Sequence, residues 1–114
     1  MNKRKPDFTA ELRYLTTEEG GRKTPVWSIG YRPQVKFPFE DVQTSGEQTF
    51  LNKEVVYPGD TVIAEIAIIS TEIFEYKLAA GQEFDFREGA RIIGTGKILE
   101  VVNPILKLAN KPSI

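Results

Sequence analysis

The chain has 114 residues, of which 40% are hydrophobic and 27% are charged, a composition typical of one folded domain and unlike that of a disordered chain. It contains neither cysteine nor histidine, which excludes disulfides, thiolate-bound metals and the Ser-His or Cys-His pairs of nucleophilic catalysis. The net charge is −1, and no segment resembles a secretory signal or a membrane-spanning helix. We therefore expect a cytoplasmic protein with no membrane segment and no cofactor.

The first third of the chain predicts one clear strand. Residues 1–7 are basic and without an apolar run, so we expect a flexible tail. Apolar and polar residues then alternate through 8–15, the period of a half-buried strand. The glycine pair and proline within 16–25 predict a loop, 26–29 predicts a short extended piece, and 30–33 ends it.

The middle of the chain predicts three further strands. Alternation in 34–39 indicates a strand, and Pro38 confines it to an edge or a bulge. A polar stretch follows, and then 49–56 is predicted to be extended. Residues 57–60 carry Pro and Gly in the order of a type II turn, and 61–70 has the strongest strand pattern.

The last third predicts two more strands around one ambiguous segment. Residues 72–80 fit either a helical turn or the tip of a hairpin, since so short a segment has no decisive period. Alternation returns in 82–86, and 90–102 forms a long strand containing Gly94 and Gly96. Glycines within a strand indicate a bulge or a close approach of another backbone.

About six strands separated by turn signals predict an all-β domain, either a closed antiparallel barrel or a sandwich. We assign this domain to residues 8–102 and expect the C-terminal tail, 103–114, to lie outside its core. Basic residues outnumber acidic ones by four in 1–36 and by three in 89–114, whereas acidic residues dominate by eight in 37–88. This asymmetry predicts either opposed basic and acidic faces or an ordinary solvated surface.

Five motifs give the chain a family resemblance. They are EEGGRKTP at 18–25, GYRPQ at 30–34, DV at 41–42, PGD at 58–60 and FREGARIIGTGKI at 86–98. In this order and at these spacings the chain resembles the C-terminal domain, domain 3, of translation elongation factor Tu. The resemblance implies a six-stranded antiparallel Greek-key-type β-barrel without catalytic activity.

The resemblance also implies partners. In the full-length factor this domain contacts the GTPase domain, the T stem of aminoacyl-tRNA and the nucleotide-exchange factor. Carried over by motif, the tRNA-facing positions are Arg22, Lys23, Thr24, Gln34, Gln43, Glu88 and Gly89. Gln43 departs from the family, which usually has threonine there, and the segment 69–84 is several residues longer and lacks the usual proline.

Three of the candidate contacts have a structural alternative. The loop bearing Arg22 is either an RNA surface or a simple exposed hairpin. Arg32 is either a ligand contact or a buried brace against Tyr31 that fixes the loop. Glu88 accepts from a ribose hydroxyl or forms a local ion pair with a neighbouring arginine.

Phe74 and Tyr76, in the lengthened segment, form an additional partner surface if exposed, and core packing is the alternative. Residues 94–97 look superficially like a phosphate-binding loop but lack its first glycine and its Ser or Thr, so we expect no bound nucleotide. Two functions remain open. One is a module that binds tRNA, and the other is a protein-interaction module that binds a translation factor or its GTPase domain.

Overall fold

The computed structural model describes residues 5–28 and 30–113. Its strands, in chain order, are β1 (Phe8–Tyr14), β2 (Val26–Trp27), β3 (Gln34–Lys36), β4 (Thr44–Phe50), β5 (Val55–Val56), β6 (Thr61–Ile68), β7 (Glu83–Glu88) and β8 (Arg91–Val101). Short 3-10 turns occupy Thr71–Phe74, Pro104–Leu106 and Leu108–Asn110.

Six of these strands close into an antiparallel barrel in the order β1-β6-β4-β3-β7-β8, with β8 pairing back onto β1. β3, β4 and β6 are neighbours in sequence order, and β7 then returns past two strands to lie beside β3. This path is a Greek key. The predicted six-stranded antiparallel barrel is therefore confirmed, and β2 and β5 form a separate two-stranded ribbon.

The barrel interior is an aromatic core into which two glycines of β8 fit. The rings of Phe8 and Phe84 meet edge to face with centroids 5.7 Å apart. Gly96 pairs with Phe84 and Gly94 with Phe86 across β7 and β8, and a Cβ at either glycine would overlap the opposite ring. The predicted close approach is confirmed, although at Gly96 it is a ring rather than a backbone that approaches.

The position of β4 differs from the sequence-based prediction. We expected an extended segment over 49–56, but the strand begins at Thr44, ends at Phe50, and is followed by a turn before β5. Its buried face carries Thr44, Gly46 and Gln48, which give no apolar alternation. Gly46 faces inward, and a Cβ at this position would overlap side chains of β3 and β6, so the strand needs glycine there.

Asp7 and the segment after β8 are tied to the barrel more closely than predicted. Asp7, placed by the prediction in a flexible tail, is buried, and its carboxylate accepts hydrogen bonds from the Ile68 N–H and the Asn103 side chain. Residues 1–4 lie outside the described residues. The prediction that 103–114 lies outside the core is wrong for Leu106, which is completely buried in the main hydrophobic cluster.

The ambiguous segment after β6 is a 3-10 turn, Thr71–Phe74, not the tip of a hairpin. Beyond it the chain hydrogen-bonds to the segment after β8: the Leu78 N–H donates to the Leu106 carbonyl, and the Leu108 N–H donates to the Leu78 carbonyl. Leu78, Phe74 and Leu106 are all buried in the same hydrophobic cluster. The two segments together therefore cover one end of the barrel.

Candidate functional site

Four of the five sequence motifs reach one end of the barrel, and the fifth, DV at 41–42, lies in the connection between β3 and β4 at the other end. We call the first of these the loop end; it carries the connections after β1 and β4 and the turn between β7 and β8. The opposite tail end carries the connections from β3 to β4 and from β6 to β7, together with the residues after β8. Since antiparallel strands alternate in direction, every second connection emerges at the same end.

The loop after β1 is built by its own hydrogen bonds. The Glu19 carboxylate accepts from the Thr16 N–H and from the Arg13 guanidinium, and the Gly21 N–H donates to the Thr16 carbonyl. The Thr16 N–H, and then Arg13, lower the pKa of Glu19. Gly20 has a φ of 97°, a conformation that requires glycine. The loop thus has a defined shape that presents the residues following it.

Arg22, Tyr31 and Glu88 form a cluster that joins this loop to the β7–β8 turn. The Arg22 guanidinium is ion-paired with the Glu88 carboxylate and lies over the Tyr31 ring, 5.6 Å from its centroid. The Tyr31 hydroxyl donates to Oε2 of Glu88 at 2.6 Å. Arg22 also donates to the backbone carbonyl and the hydroxyl of Thr24. Each of the three guanidinium nitrogens of Arg22 therefore already donates a hydrogen bond within the protein.

Burial at the loop end changes the pKa of two tyrosines, Tyr31 and Tyr14. Removal from water raises the pKa of Tyr31 above its usual value, and the hydrogen bond to Glu88 raises it further. Burial likewise raises the pKa of Tyr14, whose hydroxyl donates to Oε1 of the buried Gln48, and the neighbouring Tyr31 adds to that effect. Both hydroxyls therefore act as neutral hydrogen-bond donors around neutral pH.

A second arginine holds the same loop from the other side. Arg91, the first residue of β8, donates to the carbonyls of Gly20 and Gly21 through separate nitrogens of its guanidinium. Gly89, in the turn beside it, has a φ of 64°. The motifs EEGGRKTP and FREGAR are thus joined in space, although about seventy residues separate them.

The charges at the loop end differ from what the motifs alone predict. Arg22 is neutralised by Glu88, and its side chain is 24% exposed. The predicted tyrosine-arginine brace exists, but its arginine is Arg22, and Arg32 instead is exposed with its Nε 3.7 Å from Glu47. Lys23 is exposed and makes no ion pair with another described residue. Lys23 is therefore the cation of this loop that is available to a partner.

The two predicted glutamines occupy different ends of a short strand pair. Gln34 begins β3 opposite Arg87, next to Glu88, and its amide nitrogen donates to Oγ of Ser45 at 3.0 Å. Gln43 precedes β4 and so lies toward the tail end. β3 has only three residues, so its two ends are close together. Gln43 stands two residues before Ser45, whose hydroxyl accepts from Gln34.

The predicted additional surface of Phe74 and Tyr76 is not formed as expected. Phe74 is completely buried, so it packs in the core, the alternative that we also considered. Tyr76 is partly buried, has a φ of 57°, and donates its N–H to the Ile105 carbonyl. Other aromatic side chains are more exposed: Trp27 is 63% and Tyr57 is 54% exposed at the loop end, and Phe39 is 48% exposed beyond the end of β3.

Sequence reasoning paired Tyr31 with the wrong arginine, Arg32, and missed Arg91 as the residue that holds the glycine loop. Tyr31 and Arg91 both stand inside quoted motifs, but their partners lie 57 and about 70 residues away, and no local pattern signals such a pairing. One alternative for Glu88 was an ion pair with an arginine close to it in the sequence. Its ion-pair partner is instead Arg22, from the loop after β1.

A comparison with known protein families bears on this arrangement. The family model described as the elongation factor Tu C-terminal domain matches residues 2–102. The chain belongs to this family. It is therefore a module related to translation factors, and the 3-10 turns that follow Asn103 lie beyond the matched region.

Two absences apply to the part of the chain that the structure describes. None of its helical turns is long enough, or apolar enough, to cross a membrane. No group of three or more carboxylates in residues 5–28 and 30–113 is arranged to hold a metal ion.

Proposed function

We propose that this chain is a non-catalytic module that binds the backbone of duplex RNA, as in the acceptor and T stems of tRNA, through its loop end. The observation that carries the proposal is the joining of three separate motifs into one surface by the cluster of Arg22, Tyr31 and Glu88. Family membership supports the same conclusion, because the resemblance implies a tRNA-facing surface on these motifs.

The chemistry of this surface suits a backbone more than a base sequence. Lys23 offers a positive charge to phosphate, and Thr24 and Gln34 have hydroxyl or amide groups that can pair with ribose hydroxyls. Gly89, without a side chain, allows a sugar to approach the turn closely. Contacts of this kind recognise the shape of an RNA helix and carry no sequence information directly.

Charge sets the strength that we expect. The net charge is −1, and the arginine nearest to Lys23 is already ion-paired, so few phosphates are neutralised. Binding should therefore be weak and depend on salt with a shallow slope. Arg32 extends the same surface at its margin, whereas Gln43 lies toward the tail end and outside this surface.

The test is a titration of fluorescently labelled tRNA, followed by anisotropy at low salt and repeated at several salt concentrations. Replacement of Lys23 by alanine should weaken binding several-fold and lower the salt slope by about one, the value for one lost phosphate contact. Lys111→Ala is the matched control, since Lys111 is also an exposed lysine but lies in the tail segment at the opposite end. Its binding should equal that of the wild type.

Two outcomes would refute the proposal. One is no measurable binding of tRNA at low salt. The other is an equal loss of affinity in the Lys23 and Lys111 variants, since this would show that only net charge matters. Arg22→Ala is a poor probe here, because it breaks the loop's internal contacts as well.

A protein partner is the second candidate, and Trp27 favours it. Trp27 is 63% exposed beside a cleft of about 380 Å³ that Phe50, Lys53 and Glu54 also line. An exposed tryptophan next to a cleft is a common anchor of protein interfaces. Trp27 is the single tryptophan, so its fluorescence reports burial directly when a purified elongation-factor GTPase domain is added. An unchanged spectrum at saturating GTPase domain would eliminate that partner.

A further inference from the structure

The tail end of the barrel carries an apolar cleft that neither the family match nor the RNA proposal accounts for. Its volume is about 270 Å³. Six apolar residues line it: Leu78, Ala79, Ala80, Leu99, Val101 and Ala109. They come from the lengthened segment, from the end of β8 and from the turns beyond residue 102, where the family match ends.

Exposed apolar side chains surround this cleft. Leu99, which lines it, is 46% exposed, and so is Leu108, which stands between two lining residues in the chain. Val102 and Ile105 are 44% and 43% exposed. Single exposed apolar residues are ordinary, but four within ten residues beside an apolar cleft indicate a surface that another molecule covers.

Two charged residues also line the cleft, and they have opposite signs. Glu100 and Lys107 are on the cleft wall, and neither forms an ion pair with another described residue. The cleft therefore has no net charge of its own, which disfavours a nucleic acid or a strongly charged peptide as occupant. It offers an unpaired carboxylate and an unpaired ammonium group to a partner that carries both.

We propose that the occupant is a second copy of this chain, bound about a two-fold axis at the tail end. In such an isologous contact the same patch must supply both sides of every interaction. This patch does so, because it combines a cleft with exposed leucines and carries both members of a potential ion pair. Glu100 of one copy faces Lys107 of the other, and the pair occurs twice.

The size of the patch sets the strength of the dimer. Four half-exposed aliphatic side chains and a shallow cleft provide a few hundred Å² for each copy, less than the roughly 800 Å² per partner of a standard stable interface. The dimer should therefore be weak, with dissociation in the micromolar to millimolar range. It does not depend on RNA binding, since the two surfaces are at opposite ends of the barrel.

The experiment measures the mass of the full chain by sedimentation equilibrium over a concentration series, with a set of charge reversals. Glu100→Lys and Lys107→Glu, tested one at a time, put like charges opposite each other in both pairs and should each weaken the dimer at least tenfold. An equimolar mixture of the two variants should restore it, because the mixed dimer again has opposite charges in both pairs. Far-UV circular dichroism checks that both variants fold.

Mixing the two variants distinguishes a contact between chains from a contact within one chain. An ion pair within one chain would not be restored by mixing two separate variants. Leu108→Asp should abolish the dimer in every combination. A wild-type chain that stays monomeric up to roughly millimolar concentration, or a mixture no more associated than its components, would overturn the proposal and leave the patch to a different protein.

Discussion

Leu106 lies beyond the family match, yet its side chain is completely buried in the main core. We predict that Leu106→Ala destabilises the whole domain. Its backbone carbonyl accepts from the Leu78 N–H and would still do so in the variant, so the substitution removes side-chain packing alone.

The size of the effect follows from the burial. Leu→Ala removes three carbon atoms, and at about 0.8 kcal/mol for each buried methylene the transfer cost is about 2.4 kcal/mol. A cavity that does not collapse adds up to about 2 kcal/mol, at roughly 24 cal/mol per Å³. The expected loss is thus about 2.5–4.5 kcal/mol, a large part of the 5–15 kcal/mol typical of a domain's free energy of unfolding.

Urea unfolding at low protein concentration, where the proposed dimer is dissociated, measures this loss. Trp27 fluorescence and far-UV circular dichroism should give coincident transitions, because Trp27 is at the opposite end and reports only a cooperative unfolding of the barrel. Leu108→Ala is the matched control, a leucine in the next turn that is 46% exposed and should cost about 1 kcal/mol or less. Equal shifts of the urea midpoint in the two variants would refute the reasoning.

Two further predictions concern the buried tyrosines. Gln48→Leu leaves the buried Tyr14 hydroxyl without its acceptor and should cost about 1–3 kcal/mol of unfolding free energy, while adding Tyr14→Phe should recover part of that loss; an additive double variant in urea unfolding would contradict this. Folding raises the pKa of Tyr14 and of Tyr31, so the unfolded chain releases these protons first. The contribution of these tyrosines to stability is therefore constant below the unfolded pKa near 10 and falls above it by up to about 1.4 kcal/mol per pH unit for each group. Urea midpoints measured between neutral pH and pH of about 11 should fall less steeply in Tyr31→Phe, and an unchanged slope would show that Tyr31 does not resist ionisation.

How far the sequence predicted the fold depended on which residues face inward. β1 and β6 were predicted almost to the residue because their buried positions are apolar and alternate with polar ones. β4 was misplaced because its inward positions include a glycine and the hydrogen-bonded Gln48, whose burial depends on Tyr14 thirty-four residues away. A period analysis detects apolar alternation and has no access to a polar pair formed across the barrel.

The prediction for the segment after β8 was wrong for a related reason. Asn103-Pro104 is a common signal for the end of an element, and the Asn103 side chain indeed accepts from the Ile105 N–H and starts a 3-10 turn. Leu106 shares the main core with Leu78 and Phe74 of the segment after β6, and its carbonyl accepts a hydrogen bond from the Leu78 N–H. Neither segment has a period of its own, and each is ordered by the other, so the sequence reveals neither alone.

At the candidate site, too, the sequence identified the residues but not which of them pair with one another. The motifs named Arg22 and Glu88 as separate contacts to RNA, but the two side chains neutralise each other in the folded chain. An arginine that bonds a carboxylate, a carbonyl and a hydroxyl has little capacity left for phosphate, and its planar fork makes it better suited to fixing a loop than lysine would be. If the loop end binds RNA, its affinity therefore comes from the exposed Lys23 and from the fit of a rigid loop to the duplex. Arg22 contributes by holding that loop in place.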